Sequence, residues 1–137
     1  MNIQINLFSL ATLFLLLFTS YAAEAQDNSS AEKSSESNSI EVIQFHSEHR
    51  CMTCNTIEEL TRETLESYTQ IPFSLVNVDE KENEKMADEF EAAGTALFLY
   101  NPKTGDKKEL TDFAFMNAMN KQKFMSGLKK EIESFQK

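Results

Sequence analysis

Both cysteines and both histidines of this 137-residue chain lie within residues 45 to 55 (FHSEHRCMTCN). Cys51 and Cys54 are three positions apart, so their sulfurs are close enough to form a disulfide that another protein could exchange. The same sulfurs, together with the imidazoles of His46 and His49, form a ligand set that suits zinc or copper. A static disulfide that stabilises a small domain is the third option. Redox exchange, metal binding and a structural bridge are therefore the chemistries to distinguish.

The cysteine pair lies between a predicted strand and a predicted helix. Residues 40 to 45 (IEVIQF) have almost no polar alternation, which is typical of a strand covered on both faces. After Cys54, apolar residues at three- and four-residue steps predict an amphipathic helix that ends before Pro72. Backbone N–H groups at the helix start favour a thiolate on Cys51, and Arg50 adds a nearby cation. We therefore predict Cys51 as the nucleophile and the more buried Cys54 as the resolving thiol.

The remaining elements complete a β-α-β-α-β-β-α order. Residues 73 to 78 (FSLVNV) and 96 to 100 (ALFLY) are predicted strands, separated by a helix that Gly94 ends. A turn at residues 101 to 106 leads into a fourth strand at residues 107 to 113. The last helix begins after Asn120 as N-cap and carries an apolar stripe of Phe124, Leu128, Ile132 and Phe135. A strand-helix-strand unit requires a parallel pair of strands, and the turn gives an antiparallel hairpin. The predicted class is therefore α/β, with a mixed four-stranded sheet and helices on both faces.

Two alternatives to redox chemistry stay open. A bridge between residues three apart closes a very short loop and gives little stabilisation through chain entropy, which argues against a static disulfide. Metal binding is disfavoured because His46 lies at a strand end and His49 is only two positions from Cys51, which is not a standard spacing for four ligands.

Three methionines follow the predicted fourth strand, namely Met116, Met119 and Met125. They could form a thioether site for copper or an apolar groove for a substrate. Methionine more often fills irregular gaps in a core, so ordinary packing is the preferred interpretation. Residues 114 to 118 are nevertheless expected at the same sheet edge as Cys51 and Thr95, where these segments would form a groove for a client chain.

The N-terminus predicts export. Residues 7 to 18 (LFSLATLFLLLF) are an apolar run that is shorter than the roughly 20 residues of a membrane-spanning helix. The small residues Ala23 and Ala25 form a cleavage site, so residues 1 to 25 are predicted to be a signal peptide. An uncleaved membrane anchor, with the run extended to residue 23, is the alternative. In either case we expect the rest of the chain in the periplasm or outside the cell.

Two further regions follow the predicted cleavage site. Residues 26 to 39 (QDNSSAEKSSESNS) contain no large apolar side chain and are predicted to be a flexible linker. Residues 40 to 137 then form one small domain, which we expect to be a monomer. The formal net charge of −9 argues against a nucleic-acid partner.

Residues 40 to 135 resemble the thioredoxin superfamily. Residues 40 to 54 are similar to its active-site strand and CxxC loop, residues 73 to 79 (FSLVNVD) to its second strand, and residues 94 to 100 (GTALFLY) to the segment that carries its cis-proline. The resemblance implies a minimal thioredoxin-like domain that reduces, forms or shuffles protein disulfides without a bound cofactor. It also implies a client protein with a disulfide or thiols, and a membrane redox partner.

Three positions depart from the thioredoxin pattern. Arg50 stands where thioredoxin has tryptophan, and Gln44 stands in the place of a buried aspartate that helps to deprotonate the resolving cysteine. Side chains that could accept this proton instead are His46, His49 and Glu48. Thr95 replaces the cis-proline, so no cis peptide is expected there. That proline hinders metal ions from reaching the sulfurs in the family, so its absence makes metal capture easier.

Overall fold

The computed structural model describes residues 40–137, and the predicted signal peptide (residues 1–25) and linker (residues 26–39) lie outside the described residues. The strands are β1 (Glu41–His46), β2 (Phe73–Asn77), β3 (Ala96–Tyr100) and β4 (Lys107–Glu109). The helices are α1 (Met52–Leu65), α2 (Glu84–Glu89), α3 (Thr111–Asn117) and α4 (Lys121–Phe135), and a 3-10 turn (Lys81–Asn83) precedes α2. None of the helices within residues 40–137 is long and apolar enough to cross a membrane.

The four strands of residues 40–137 form one mixed sheet in the order β2-β1-β3-β4. β1 pairs in parallel with β2 and antiparallel with β3, and β4 is antiparallel to β3. The parallel pair follows from α1, because a helical crossover returns the chain to the same end of the sheet. The predicted α/β class, with a mixed four-stranded sheet and helices on both faces, is confirmed.

Each face of the sheet carries its own hydrophobic core. Successive side chains of β1 point to opposite faces, so Val42 belongs to one core and Ile43 to the other. The first core joins β1 and β3 to α1, α3 and α4, and it includes Val42, Ile57, Leu60, Leu97, Leu99, Leu110, Ala114, Phe124, Leu128 and Ile132. The second, which we name the aromatic core, contains Ile43, Phe45, Val76, Phe90, Ala92, Ala96 and Phe98. β1 is thus covered on both faces, as its sequence predicts.

The fourth strand is shorter than predicted, and a helix takes the place of its end. β4 covers Lys107–Glu109, whereas the sequence predicted a strand over residues 107 to 113 and then a loop. The Leu110 N–H donates to the Leu97 carbonyl over 2.7 Å, but the Leu97 N–H donates to the Thr111 hydroxyl over 3.2 Å. Because a side chain replaces the next backbone acceptor of the ladder, the main chain is free to turn into α3.

The second helix also ends earlier than predicted. The sequence placed its end at Gly94, but Glu91 already adopts the left-handed conformation, with a φ of 52°. The Ala92 N–H donates to the Ala87 carbonyl over 2.9 Å. The Glu91 N–H donates to the Asp88 carbonyl over 3.1 Å. These two bonds form a Schellman motif, in which a glycine usually occupies the position of Glu91.

The last helix agrees with its prediction. The Asn120 side chain accepts a hydrogen bond from the Lys123 N–H over 3.0 Å, so Asn120 is the N-cap. The buried residues of α4 are Phe124, Leu128 and Ile132. Through this stripe α4 packs beside α1 in the first core, and α1 is the helix that carries the cysteine pair at its start.

The left-handed conformation of Glu91 leads to a stability prediction. We expect Glu91→Gly to raise the free energy of unfolding by about 1 kcal/mol, because glycine has no Cβ that opposes a positive φ. The matched control is Asp88→Gly in the exposed helical turn just before it, which should lower the free energy of unfolding by about 0.3 kcal/mol, because glycine is a poorer helix former than aspartate. Urea unfolding of the three proteins measures both changes. A loss of stability in Glu91→Gly as large as that in Asp88→Gly would contradict the assignment.

Candidate functional site

The two cysteines lie at the start of α1 and are joined as a disulfide, with their Cα atoms 5.2 Å apart. Cys51 is the N-cap, with an extended backbone (φ −78°, ψ 163°), and it is exposed to solvent. Cys54 is inside the first turn and only 5% exposed. The structure therefore places the predicted nucleophile outside and the predicted resolving thiol inside, and their catalytic roles stay predictions.

The sulfur of Cys51 accepts a backbone hydrogen bond. The Cys54 N–H, one of the N–H groups that have no carbonyl partner at a helix start, donates to the Cys51 Sγ over 3.2 Å. The first turn of α1 contains no acidic residue that would repel a negative sulfur. Both features, together with the positive end of the helix dipole, favour the thiolate of Cys51 once the disulfide is reduced.

Two polar side chains, those of Thr95 and Gln44, form hydrogen bonds with Cys54. The Thr95 hydroxyl donates to the Cys54 Sγ over 3.2 Å. Gln44, which is fully buried on β1, donates from Nε2 to the Cys54 carbonyl over 3.0 Å, and its Oε1 has no partner among the described residues. Gln44 thus fixes the backbone of the resolving cysteine, and an amide at this position cannot accept its proton.

Arg50 is held by an ion pair. Its guanidinium lies 2.6 Å from Glu58 Oε2, and the other oxygen of Glu58 accepts from Arg62 Nε over 2.8 Å. Burial raises the pKa of Glu58, but the hydrogen bonds and charges of the two arginines outweigh this effect and hold the pKa below its ordinary value. Because Glu58 compensates the charge of Arg50, the support that Arg50 offers to a Cys51 thiolate is weaker than the sequence alone implies.

Neither histidine belongs to a cluster of potential metal ligands among the described residues. His46 is half-buried at the end of β1, and its Nδ1 lies 3.0 Å from the Ser47 carbonyl, whereas His49 is exposed on the loop. The same loop is tied to the end of β2, because the Glu48 N–H donates to Asp79 Oδ2 over 2.7 Å. Within residues 40–137 no group of three or more His, Cys, Asp or Glu side chains could hold a metal ion. The metal-binding alternative therefore has no support from the described residues.

Thr95 directly precedes β3 and lies beside the sulfurs, where the resemblance placed it. Residues 40–137 contain no cis peptide bond, so the bond before Thr95 is trans, as expected for a residue other than proline. The sequence did not reveal that its hydroxyl reaches Cys54, because the two residues are 41 positions apart.

A shallow apolar pocket, which we name the methionine pocket, lies next to the cysteines. It includes Ala118 from the segment predicted to form a groove, but neither Cys51 nor Thr95 is among its lining residues. It has a volume of about 260 Å³ and is lined by Met52, Thr53, Thr56, Leu60, Ala118, Met119 and Lys121. Met52 is 84% exposed and Met119 is 91% exposed. The interpretation of Met116 and Met119 as core residues is wrong, since both side chains face solvent while Ala114 of α3 fills the core. The pocket lies against the two residues between the cysteines.

The structure is similar to several solved structures at low sequence identity. A malarial protein is 20% identical with a TM-score of 0.43, over 61% of this chain and 97% of its own. Thioredoxin f2 of Chlamydomonas reinhardtii is 19% identical with a TM-score of 0.45, over 63% of this chain and 83% of its own. The first two thioredoxin domains of Saccharomyces cerevisiae Eps1p are 26% identical with a TM-score of 0.41, over 64% of this chain and 38% of theirs. No protein-family model and no curated protein matches the sequence.

The arrangement of strands and helices in residues 40–137 defines the fold. The parallel β1-α1-β2 unit is present, as is the antiparallel β3-β4 hairpin on the other side of β1. The CxxC pair follows the central strand and opens the first helix. The chain therefore contains a thioredoxin-like domain with its cysteine pair at the N-terminus of α1.

Proposed function

We propose that this domain is a thiol-disulfide oxidoreductase in which Cys51 exchanges with a disulfide or thiol of a client protein and Cys54 resolves the mixed disulfide. The observation that carries the proposal is the unequal placement of two bonded sulfurs. Cys51 is exposed at a helix start and receives a backbone N–H, while Cys54 is buried one turn further on. An exposed, activated sulfur next to a protected partner is the arrangement that a two-step exchange needs.

The bonds, electrons and protons of the exchange balance without any bound cofactor. In the reducing direction, the Cys51 thiolate attacks one sulfur of a client disulfide, forms a mixed disulfide and releases the second client sulfur as a thiolate. The Cys54 thiolate then attacks Cys51 Sγ, which restores the Cys51–Cys54 bond and releases the first client sulfur. Two electrons pass from the domain to the client, and the client thiolates take protons from water. The oxidising direction is the reverse sequence.

A second protein must restore the starting state of the cysteine pair. Reduction of clients requires a dithiol donor that reduces the Cys51–Cys54 disulfide, and oxidation requires an acceptor that removes the two electrons. We propose that this partner is a membrane redox protein. We also propose that the domain acts outside the cytoplasm as a monomer, after removal of residues 1 to 25.

The methionine pocket supports a protein client. A mixed disulfide on Cys51 brings the client chain next to Met52, and Met119 forms part of the same pocket. Methionine side chains are flexible and polarisable, so they adapt to apolar residues of different shapes. We propose that the preferred client segments carry apolar residues beside their cysteine.

The exchange mechanism predicts a trapped intermediate. Cys54→Ala should form a stable mixed disulfide on Cys51 with a synthetic peptide disulfide, at a rate about tenfold above that of the same protein unfolded in urea, because only the folded helix stabilises the thiolate. A peptide with leucine and phenylalanine beside its cysteine should react faster than one with serine and asparagine. Mass spectrometry of the adduct measures both rates.

The control for this trap is Cys51→Ala, which keeps the buried Cys54 and should form no adduct at a comparable rate. If folded Cys54→Ala reacts no faster than its unfolded form, the Cys51 sulfur is not activated, and a static disulfide would explain the pair better.

The ion pair of Arg50 predicts a change in sulfur reactivity. Glu58→Gln should shift the pH midpoint of Cys51 alkylation downward in the Cys54→Ala background, because the charge of Arg50 is then no longer compensated. Iodoacetamide alkylation followed across the pH range measures the midpoint. Glu59→Gln, an exposed position on the same helix, serves as the control and should leave the midpoint much less changed. An equal shift in both variants would indicate only a general loss of negative charge.

Export predicts a defined N-terminus. When the full chain is expressed in a bacterium with two membranes, the periplasmic fraction should contain a protein that begins at Gln26. Ala23→Lys should block the cleavage, because the signal peptidase site needs small residues. N-terminal sequencing of the fractions measures this. Wild-type protein that keeps residues 1 to 25 in the membrane fraction would favour the uncleaved anchor instead.

A further inference from the structure

The Thr95 hydroxyl is the side-chain donor in contact with the resolving sulfur. Its Oγ1 donates to the Cys54 Sγ over 3.2 Å. Thr95 is held in place because Ala96, the next residue, pairs with Phe45 on β1, so the hydroxyl and the CxxC loop extend from adjacent strands. A β-branched threonine also has few side-chain rotamers. The contact therefore joins two fixed segments of the domain.

The other polar side chains described near Cys54 make their hydrogen bonds and ion pairs with groups other than its sulfur. Gln44 is committed to the Cys54 carbonyl, and its free atom is an acceptor. The ionisable side chains on the neighbouring segments are His46 at the end of β1, Arg50 and Glu58, which pair with one another, and Lys121 at the start of α4, which pairs with Glu63. On β3 the neighbours are Ala96 and Leu97, which carry no charge.

We infer that the Thr95 hydroxyl stabilises the thiolate of Cys54 and so controls how fast Cys54 resolves a mixed disulfide. This inference rests on the proposed exchange function. In the resolving step the Cys54 thiolate attacks Cys51 Sγ, the Cys51–Cys54 bond forms, and the client sulfur leaves as a thiolate. The Cys54 proton has gone to solvent beforehand, and the hydroxyl keeps its own proton throughout. A hydrogen bond to an ionised sulfur is stronger than one to a neutral thiol, so it favours the reactive form.

The same contact acts in the opposite direction. When a client thiolate or an external dithiol opens the disulfide at Cys51, Cys54 is the leaving group, and a leaving thiolate that is stabilised leaves faster. Thr95 is therefore a catalytic residue for both directions of exchange, since it touches a sulfur whose bond forms or breaks.

Two substitutions separate the hydroxyl from the shape of the side chain. Thr95→Val keeps the branched shape and removes the donor, whereas Thr95→Ser keeps the donor and removes a methyl group. In a Cys51→Ser background, the ultraviolet absorbance of the Cys54 thiolate is followed across the pH range. Thr95→Val should move the midpoint upward and lower the thiolate fraction at neutral pH about tenfold, while Thr95→Ser should stay close to the parent.

The kinetic test uses glutathione attached to Cys51 in the otherwise unchanged CxxC protein. Release of glutathione, which reports attack by Cys54, should be about tenfold slower at neutral pH in Thr95→Val. The difference should vanish at high pH, where Cys54 is ionised in all variants. Thr95→Ser should release glutathione at nearly the parent rate.

Two results would overturn the inference. If the parent and Thr95→Val have the same pH midpoint for Cys54 and the same rate of glutathione release, the hydroxyl does not act on Cys54. Equal slowing in Thr95→Val and Thr95→Ser would show that Thr95 acts through packing. Unfolding midpoints of each variant confirm that the fold is intact. The titration needs no client protein. It therefore tests the role of Thr95 even if folded Cys54→Ala reacts too slowly with peptide disulfides for the exchange function to hold.

Discussion

The hydrogen bond from the Cys54 N–H to the Cys51 sulfur is the interaction on which the site depends. It exists because Cys51 adopts an extended backbone at the N-cap, where a serine or aspartate side chain would otherwise accept this N–H. The sulfur thus caps the start of the helix and, when reduced, is stabilised as an anion by the same bond. The position of α1 against the first core, with Ile57 and Leu60 buried, keeps this geometry in place.

The two sulfurs differ because α1 presents them to different surroundings. Cys51 lies outside the first turn and meets solvent, while Cys54 begins the buried stripe that continues through Ile57 and Thr61. The sheet below supplies Gln44 from β1 and Thr95 from the start of β3. Since β1 and β3 are neighbours in the sheet, one hydrogen-bond ladder determines where both groups reach Cys54.

Much of the fold could be predicted because its signals are local. The apolar run of β1, the helical spacing of α1 and the Asn120 cap each depend on residues close in sequence. The helix α3 was not predicted, because the strand ends where the Leu97 N–H meets the Thr111 hydroxyl, and these residues are 14 positions apart. Likewise, hydropathy does not distinguish a methionine in the core from one on the surface. The contact of Thr95 with Cys54 could not be predicted because it joins residues that are distant in the chain.

The buried amide of Gln44 has a consequence for how the site responds to pH. The groups that contact the two sulfurs are a backbone N–H and a hydroxyl, and an amide holds the Cys54 backbone. None of these three gains or loses a proton over the range in which living compartments vary. Their influence on the sulfurs is therefore constant when the surroundings become acidic, and any change in reactivity with pH comes from the sulfurs themselves.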